Sequence, residues 1–524
     1  MWPAGPKGPP RSGQLANFLY DSCTNASPGD SLDAADEYPD QTGFVMATKS
    51  QRIKNRLGHP VIDCDGHLVE VVPHYLDHLA RVGGAEMARR FGEGLLAGRE
   101  WLGGQASERA RRDARRIRNG WWTMPTANTL DSATPLLPRL LHERLDSFGI
   151  DFTILYPGLG LMLPTQSVDE LRRASVRALN AYLAETWGPY SDRMTPAAVI
   201  PMHTPGEALD ELDFAIGELG LKAISIPPGV WRPIPAVEAR APGSFPEAGW
   251  LDCYGLDSEH DYDPVWQRCQ ELGVAVTSHG GTVPNLPWHG RSTTNYVYNH
   301  VGTHAHQQSL LCKALFLGGV LQRFPTLHFG FLECGVGWAI AQYADLIGHW
   351  EKRGAKGLEN LDPARLDRER FLALFARYGD RPVEGEPHQI SIGLLDASEG
   401  LEAVDDFAAV GIERAEEFRD RFTRTLFFGC EADDPITAWA FDEKRNPFGA
   451  RLRAVFSSDI GHWDVIEMER VLEEAWEAVE KGLLTEADLR AFTFEHPVAL
   501  HGRANPDFFE GTCVETAARE WLAD

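Results

Sequence analysis

Short apolar runs recur along the chain, each closed by polar or small residues and most followed by a stretch with helical spacing. Val61-Ile-Asp-Cys-Asp65 predicts a first strand, which then passes into Gly66-His67 within one turn. Phe152–Tyr156, Thr195–Pro201, Leu221–Ile226, Val274–His279, Leu327–Glu333, Thr425–Gly429 and Arg453–Asp459 predict seven more. Between them, helical patterns cover about 167–187, 205–219, 263–272, 310–324 and 339–352, and residues 227–262 read as loop. Strand and helix alternating at roughly 30-residue spacing is the mark of βαβ units and a parallel sheet. With eight strands the prediction is an α/β fold, a (β/α)8 TIM barrel with large helical and loop insertions.

Two stretches are too long to be ordinary connections. Residues 68–147 and 354–423 are mostly helical in pattern and are predicted to be insertions, the first placed over or beside the site. Residues 1–45 hold Pro, Gly, Ser and acidic residues without sustained apolar periodicity and read as a disordered N-terminal tail, leaving 46–524 as a single barrel domain.

Composition narrows the class. The chain has 524 residues, 43% hydrophobic and 24% charged, enough for a sizeable core. A formal charge of -26 argues against a nucleic-acid partner, because phosphate binding depends on clustered cations. The basic run Arg109–Arg118 reads as a solvated helix face, with a gate for anionic substrates as the sharper alternative. Eight scattered cysteines without a Cys-x-x-Cys pair suggest reduced thiols and a cytoplasmic protein. No apolar run reaches the roughly 18 residues of a membrane span.

The chemistry sits where strands end. In a barrel of this kind the C-terminal strand ends converge on one mouth, so Asp65, His67, His279 and Asp459 become neighbours. Each has a bland alternative: a core histidine satisfied by a carbonyl, a helix-capping aspartate, or, for Glu333, a carboxylate paired with an arginine. Their coincidence at one end of the barrel favours a common site. Two imidazoles and two carboxylates suit one divalent ion, Zn²⁺ first, with Mn²⁺ or Fe²⁺ also compatible. An open coordination position would activate water.

Four motifs in order then resemble the amidohydrolase-related family, the branch containing aminocarboxymuconate-semialdehyde decarboxylase. They are Asp65-Gly-His67, Ser-His279-Gly-Gly, Phe324-Pro-Thr-Leu-His-Phe-Gly-Phe-Leu-Glu-Cys-Gly-Val-Gly-Trp338 and Ser-Ser-Asp459-Ile-Gly-His462-Trp-Asp464. The resemblance spans roughly residues 58–510 and implies a single divalent metal held by Asp65, His67, His279 and Asp459, with a homodimer as a family-level expectation. One departure matters. Decarboxylases of the family place a histidine where this chain has Glu333, and a carboxylate can accept a proton from activated water. His300, His304 and His306 precede it and offer a substitute imidazole.

The expected activity is therefore hydrolysis of a C–N, C–O or activated C–C bond in a small organic acid or aromatic metabolite, with Glu333 and Asp459 as catalytic residues. Non-oxidative decarboxylation of an aromatic or unsaturated carboxylate is the alternative, and a non-catalytic metal- or ligand-binding barrel is a third reading. Arg291, His304, Trp338 and His462 are the candidate substrate contacts; Trp121, Trp122, Trp231 and Trp288 could wall the pocket, and Glu431 also faces the mouth. Glu70 reads as a residue behind the ligands or a helix N-terminal acid.

Overall fold

A computed structural model describes residues 47–102, 107–113, 117–118, 126–245, 248–280, 292–394, 396 and 405–523. The predicted tail 1–45, Trp121, Trp122, Trp288 and Arg291 lie outside them. The eight barrel strands, numbered among themselves, are β1 (Ile62–Leu68), β2 (Phe152–Pro157), β3 (Met194–Val199), β4 (Ala223–Ile226), β5 (Val276–His279), β6 (Phe329–Leu332), β7 (Leu426–Glu431) and β8 (Arg453–Ser457). They form one parallel sheet in that order. Backbone hydrogen bonds from Asp459 N to Asp65 O (2.9 Å) and from His67 N to Ile460 O (2.7 Å) bring the segment after β8 back onto β1. The fold is a (β/α)8 barrel.

Side-chain alternation sorts the strands into two cores. Ile62 and Cys64, Phe152, Ile154 and Tyr156, Ala197, Ala223, Ala275, Leu332, Phe427 and Val455 fill the barrel interior. The C-terminal segment joins them through Phe494, Val498, Leu500, Phe508 and Phe509. Outward-facing residues such as Val61, Leu68, Leu155, Ala198 and Ile224 pack instead under the surrounding helices. Helix starts follow local chemistry: Thr204 accepts from Glu207 N to begin Pro205–Leu212, whose Pro205 occupies a first-turn position with no amide to satisfy.

Three sequence expectations are corrected. The first strand does not end at residue 65; it continues to Leu68, and its register against β2 shifts between Asp63 and Gly66. The loop 227–262 contains an antiparallel ribbon, Val230–Pro233 with Gly249–Asp252, too short and too broken by proline for its alternation to show. The helix expected at 310–324 begins earlier, at Thr303, and ends at Leu317 before a short turn Val320–Arg323. Its first turns are polar because that face serves the site: Gln308 donates to the Ser278 carbonyl at 2.9 Å.

The described residues of both stretches expected to be insertions are largely helical. The first holds Val72–Gly83, Ala85–Leu102, Glu108–Asp113, Thr129–Ala133 and Pro138–Phe148; the second holds Arg368–Tyr378 among shorter helices and runs into Glu416–Thr425. Within the basic run, Arg109 and Arg112 form exposed ion pairs with Asp113 and Glu108. Arg111 does not share that solvated face: it is buried, and its Nε donates to the Thr293 carbonyl at 2.9 Å. The seven cysteines among the described residues are free thiols. No helix among the described residues is long and apolar enough to cross a membrane.

Glu70, just beyond β1, is buried and accepts a hydrogen bond from Leu159 N at 2.9 Å, tying β1 to the turn after β2. It does not cap the helix that follows it, whose N-cap Val71 carries no side-chain cap bond. Burial pushes its carboxyl from 4.5 up to about 7. A carboxyl raised in the folded state contributes stability that is complete below the unfolded value and is lost as pH rises through the folded one. Glu70→Gln should therefore gain stability over the parent between pH 4.5 and about 7, by on the order of 3 kcal/mol at most, and hold that gain above it. Denaturant unfolding of both proteins at pH 5 and pH 8 measures this; an equal difference at the two pH values would contradict it.

Candidate metal centre

The shift in β1 decides which side chains reach the mouth. Residues of a strand alternate between faces, so with Ile62 and Cys64 inward, an unbroken strand would also send Gly66 and Leu68 inward. The extra residue of the bulge reverses the phase. Leu68 joins the outer core, and Asp65 and His67 enter the barrel.

Asp63 makes this arrangement possible. Its carboxylate is fully buried and accepts hydrogen bonds from Ser458 N (2.8 Å), Ser458 Oγ (2.7 Å), Thr153 Oγ1 (2.7 Å) and Asp65 N (3.2 Å). Burial pushes the carboxyl up, and the hydrogen bonds pull it back toward the ionised form. Gly66 leaves room for this: a Cβ there would lie 2.7 Å from Thr153 Oγ1 and 2.9 Å from Asp63 Oδ2. Nothing in the sequence reading singled out Asp63, Thr153 or Ser458. The available signal was an acid placed inside an otherwise apolar run.

Asp65, His67 and His279 present donor atoms within 4.8 Å of one another. His67 Nε2 lies 2.9 Å from Asp459 Oδ1, and His279 Nε2 lies 3.6 Å from Asp65 Oδ1 and 2.9 Å from Glu333 Oε2. These approaches are close but not aligned as hydrogen bonds. Both Asp65 oxygens, His67 Nε2, His279 Nε2 and Asp459 Oδ1 are buried without an aligned partner. Buried polar atoms in a native protein are almost always satisfied, so convergent orphans of this chemistry fit residues that would hold a cation. The His279 orientation fits too: Nδ1 lies 2.6 Å from the Gly280 carbonyl, which can only accept, so Nδ1 carries a proton there and Nε2 is the nitrogen that would face an ion.

Two of the converging acids have strained backbones. Glu333, just past β6, has φ 49°, and Asp459, just past β8, has φ 54°, left-handed values that side chains other than glycine seldom adopt. The electrostatics are those of crowded carboxylates. Burial, with Glu333 and Asp459 nearby, pushes Asp65 well above its usual range. Burial acts the same way on Glu333, yet the facing His304 and His279 rings outweigh it and hold Glu333 well below. His279 is pushed up to about 9: burial lowers it, and Asp65 and Glu333 more than reverse that.

The remaining candidates fall in different places. His304 belongs to the cluster, with Nδ1 3.0 Å from Glu333 Oε2. His462 reaches Asp459 Oδ2 at 3.1 Å and Asp464 Oδ1 at 2.6 Å. Glu431, at the end of β7, is exposed at the mouth. Trp338 packs edge-on against Phe331 and Phe428 in the aromatic core behind β6, and Trp231 lies on the outer ribbon. Arg291 lies outside the described residues. Tyr296, His300 and Trp463 stand together at the mouth, ring centroids 5.0, 5.7 and 5.9 Å apart. A surface groove of about 500 Å³ between helices Asp169–Trp187 and Pro205–Leu212 shares no residue with this cluster.

Comparison with known proteins gives a family match. The family model described as Amidohydrolase matches residues 62–381, more than half of the chain. No curated protein matches it. Among solved structures, the chain is similar to 2,6-dihydroxybenzoate decarboxylase from Rhizobium, at 14% identity over 84% of this chain and 98% of that one, with a TM-score of 0.44. It is similar also to a dihydroxybenzoic acid decarboxylase from Polaromonas sp. JS666, crystallised with manganese and 2-nitroresorcinol, at 14% identity over 84% and 97%, TM-score 0.45. An amidohydrolase from Mycobacterium avium subsp. paratuberculosis is 17% identical over 71% of this chain and 76% of its own, TM-score 0.42.

Asp63 touches no candidate donor atom, so its effect on ion binding must run through backbone position. Asp63→Asn, which turns an acceptor into a donor facing Ser458 or Thr153, should weaken divalent-ion affinity by about 10–100-fold with all four candidate ligands intact. Competition against a fluorescent chelator measures the affinity, and an unchanged value would show that the hydrogen-bonded seam does not govern ligand placement.

Proposed function

The chain belongs to the amidohydrolase family and is an enzyme of that superfamily, and on that premise we propose that it is a metal-dependent hydrolase of a small organic acid or aromatic metabolite. Asp65, His67, His279 and Asp459 are the residues that would hold one divalent ion, with Zn²⁺ the first candidate and Mn²⁺ or Fe²⁺ compatible with the same nitrogen and oxygen donors. The observation that carries this reading is the convergence of five buried, unaligned donor atoms on those four residues. Such an ion supplies Lewis acidity, polarising a substrate oxygen and making water a nucleophile near neutral pH.

The chain's own groups do the rest. Glu333 Oε2 lies between two imidazole nitrogens, His279 Nε2 at 2.9 Å and His304 Nδ1 at 3.0 Å, so the carboxylate is held in one orientation at the rim. From there it takes the proton of the attacking water and returns it to the leaving group, the exchange expected of a general base that later acts as acid. His304 orients that carboxylate. The ring group of Tyr296, His300 and Trp463 favours a flat substrate.

A second reading, non-oxidative decarboxylation of an aromatic or unsaturated carboxylate, draws support from His304, whose imidazole reaches the end of β6 where Glu333 stands. Isotope-labelled water separates the two. Hydrolysis of a C–N or C–O substrate should place one ¹⁸O in the product and release no CO₂, whereas CO₂ release without ¹⁸O uptake selects decarboxylation.

Exhaustive chelation should abolish turnover, and adding back Zn²⁺ or Mn²⁺ should restore it. Glu333→Gln should lower kcat by about 10²–10⁴-fold, with the ion at Asp65, His67, His279 and Asp459 still bound by elemental analysis. Full turnover in that variant would remove Glu333 from the proton-transfer role.

A further inference from the structure

The end of the barrel opposite the candidate metal centre gathers positive charge without acids to balance it. Arg453 opens β8 and pairs with Phe427 on β7, and His328 stands just before β6. Strand alternation turns these side chains inward: Arg453 shares the face of Val455, and His328 that of Leu332, both interior residues. Arg453 Cζ lies 4.9 Å from the Phe427 ring centroid, and the His328 ring packs 5.2 Å from the same centroid. The helix His496–Gly502 closes this end and supplies His501, with Arg503 as its C-cap. We propose that this base is a binding site for a small phosphate-type oxyanion, held by the guanidinium groups of Arg453 and Arg503, with His501 as a neutral donor. The inference is independent of any ion at the mouth.

Unmet hydrogen bonds are the first argument. Arg453 Nη1 is buried with no hydrogen-bond partner, and so is Nε2 of His501, a residue only 1% exposed. Among the described residues neither Arg453 nor Arg503 forms an ion pair, whereas Arg451 is tied to Asp488 and Arg519 to Asp507 and Glu515. Burial pushes Arg453 down to about 10, and Arg503 pushes it the same way. Burial also lowers His328 to about 4, with Arg453 and Arg503 adding to it, and His501 to about 3, with His328 adding to it. Both rings are therefore neutral near pH 7, and the charge of the base is that of the two arginines.

Simpler roles cover only part of this. A single cation at a helix C-terminus is ordinary and accounts for Arg503. The face of Phe427 attracts the Arg453 guanidinium but leaves its charge and its Nη1 hydrogen bonds unmet. An inward-facing guanidinium beside a second one is costly without a counterion. The formal charge of -26 does not oppose an anion here, because salt screens exposed charges beyond about 8 Å and the local cations dominate.

The ligand class follows from charge and shape. Two uncompensated guanidinium groups match the charge of about -2 that a phosphate group carries near neutral pH. The planar fork of arginine bonds two of its oxygens at once. Donors arriving from a strand, a helix and the turn after that helix suit a tetrahedral anion, whose oxygens point in several directions, better than a planar carboxylate. Arg503 also borders a surface groove of about 420 Å³, together with Gly502, Arg519 and Leu522, which opens this side of the base to solvent.

The test titrates the full chain, stripped with chelator, with sodium phosphate in a calorimeter near neutral pH, against sodium chloride at matched ionic strength. Stripping removes any cation that could take phosphate at the mouth, whose own carboxylates repel anions. The expected result is one phosphate per chain and a rise in melting temperature that chloride does not give. R453Q should weaken binding at least about tenfold, and R503Q by a smaller factor. Arg503 is exposed, so R503Q keeps the fold even if R453Q does not, and circular dichroism checks both. Glycerol phosphate in place of inorganic phosphate separates two sources of the same group: tighter binding of the ester assigns the site to a phosphorylated metabolite, and equal or weaker binding to the free ion. No saturable binding of either, a stabilisation that chloride reproduces, or undiminished affinity in either folded variant would overturn the site.

Discussion

A buried carboxylate holds the last strand of this barrel to the first, and the positions of the candidate ligands depend on it. Asp63 has no solvent exposure and accepts four hydrogen bonds, from Asp65 on its own strand, Thr153 on β2 and Ser458 after β8. Removing a carboxylate from water is costly, and only a full set of donors offsets that cost. Because these donors come from three separate stretches of chain, they can be present only when the three meet in one register. Asp65 and Asp459 adjoin the groups being fixed, so closing the barrel and placing these candidate ligands are one event.

The same rim concentrates the unfavourable features of the molecule. It carries the bulge in β1, the left-handed residues Glu333 and Asp459, and several orphaned donor atoms. At the other end of the barrel, the C-terminal segment packs Phe494, Leu500, Phe508 and Phe509 into the interior. That apolar packing supplies stability while the mouth accumulates strain and like charge, the division expected when one end of a barrel performs chemistry.

The helical stretch after β1 contributes to the mouth from outside. Arg111 reaches the Thr293 carbonyl, and Arg118 N donates to the Ser292 carbonyl at 2.9 Å. These contacts hold the start of the segment that leads to Tyr296, His300 and His304. A run of arginines that looks like a charged surface in sequence is thus partly a clamp on the wall of the site, with Arg109 and Arg112 left at the surface.

Much of this was legible in the sequence. Apolar runs alternating with helical spacing determined the parallel barrel, because period and spacing are local properties. The four strand-end motifs determined which residue types gather at the mouth, since parallel strands point the same way. The sequence could not reveal that Asp65 and His67 face inward through a phase reversal, because a bulge is set by pairing with β2. Nor could it show Asp63 as the clamp across residues hundreds of positions apart, or assign His304 to Glu333 in preference to His306, which sits on another face of the same helix. Those were decided by the tertiary structure, where closure of the barrel brings a buried charge to its donors and leaves Glu333 between two groups of histidines.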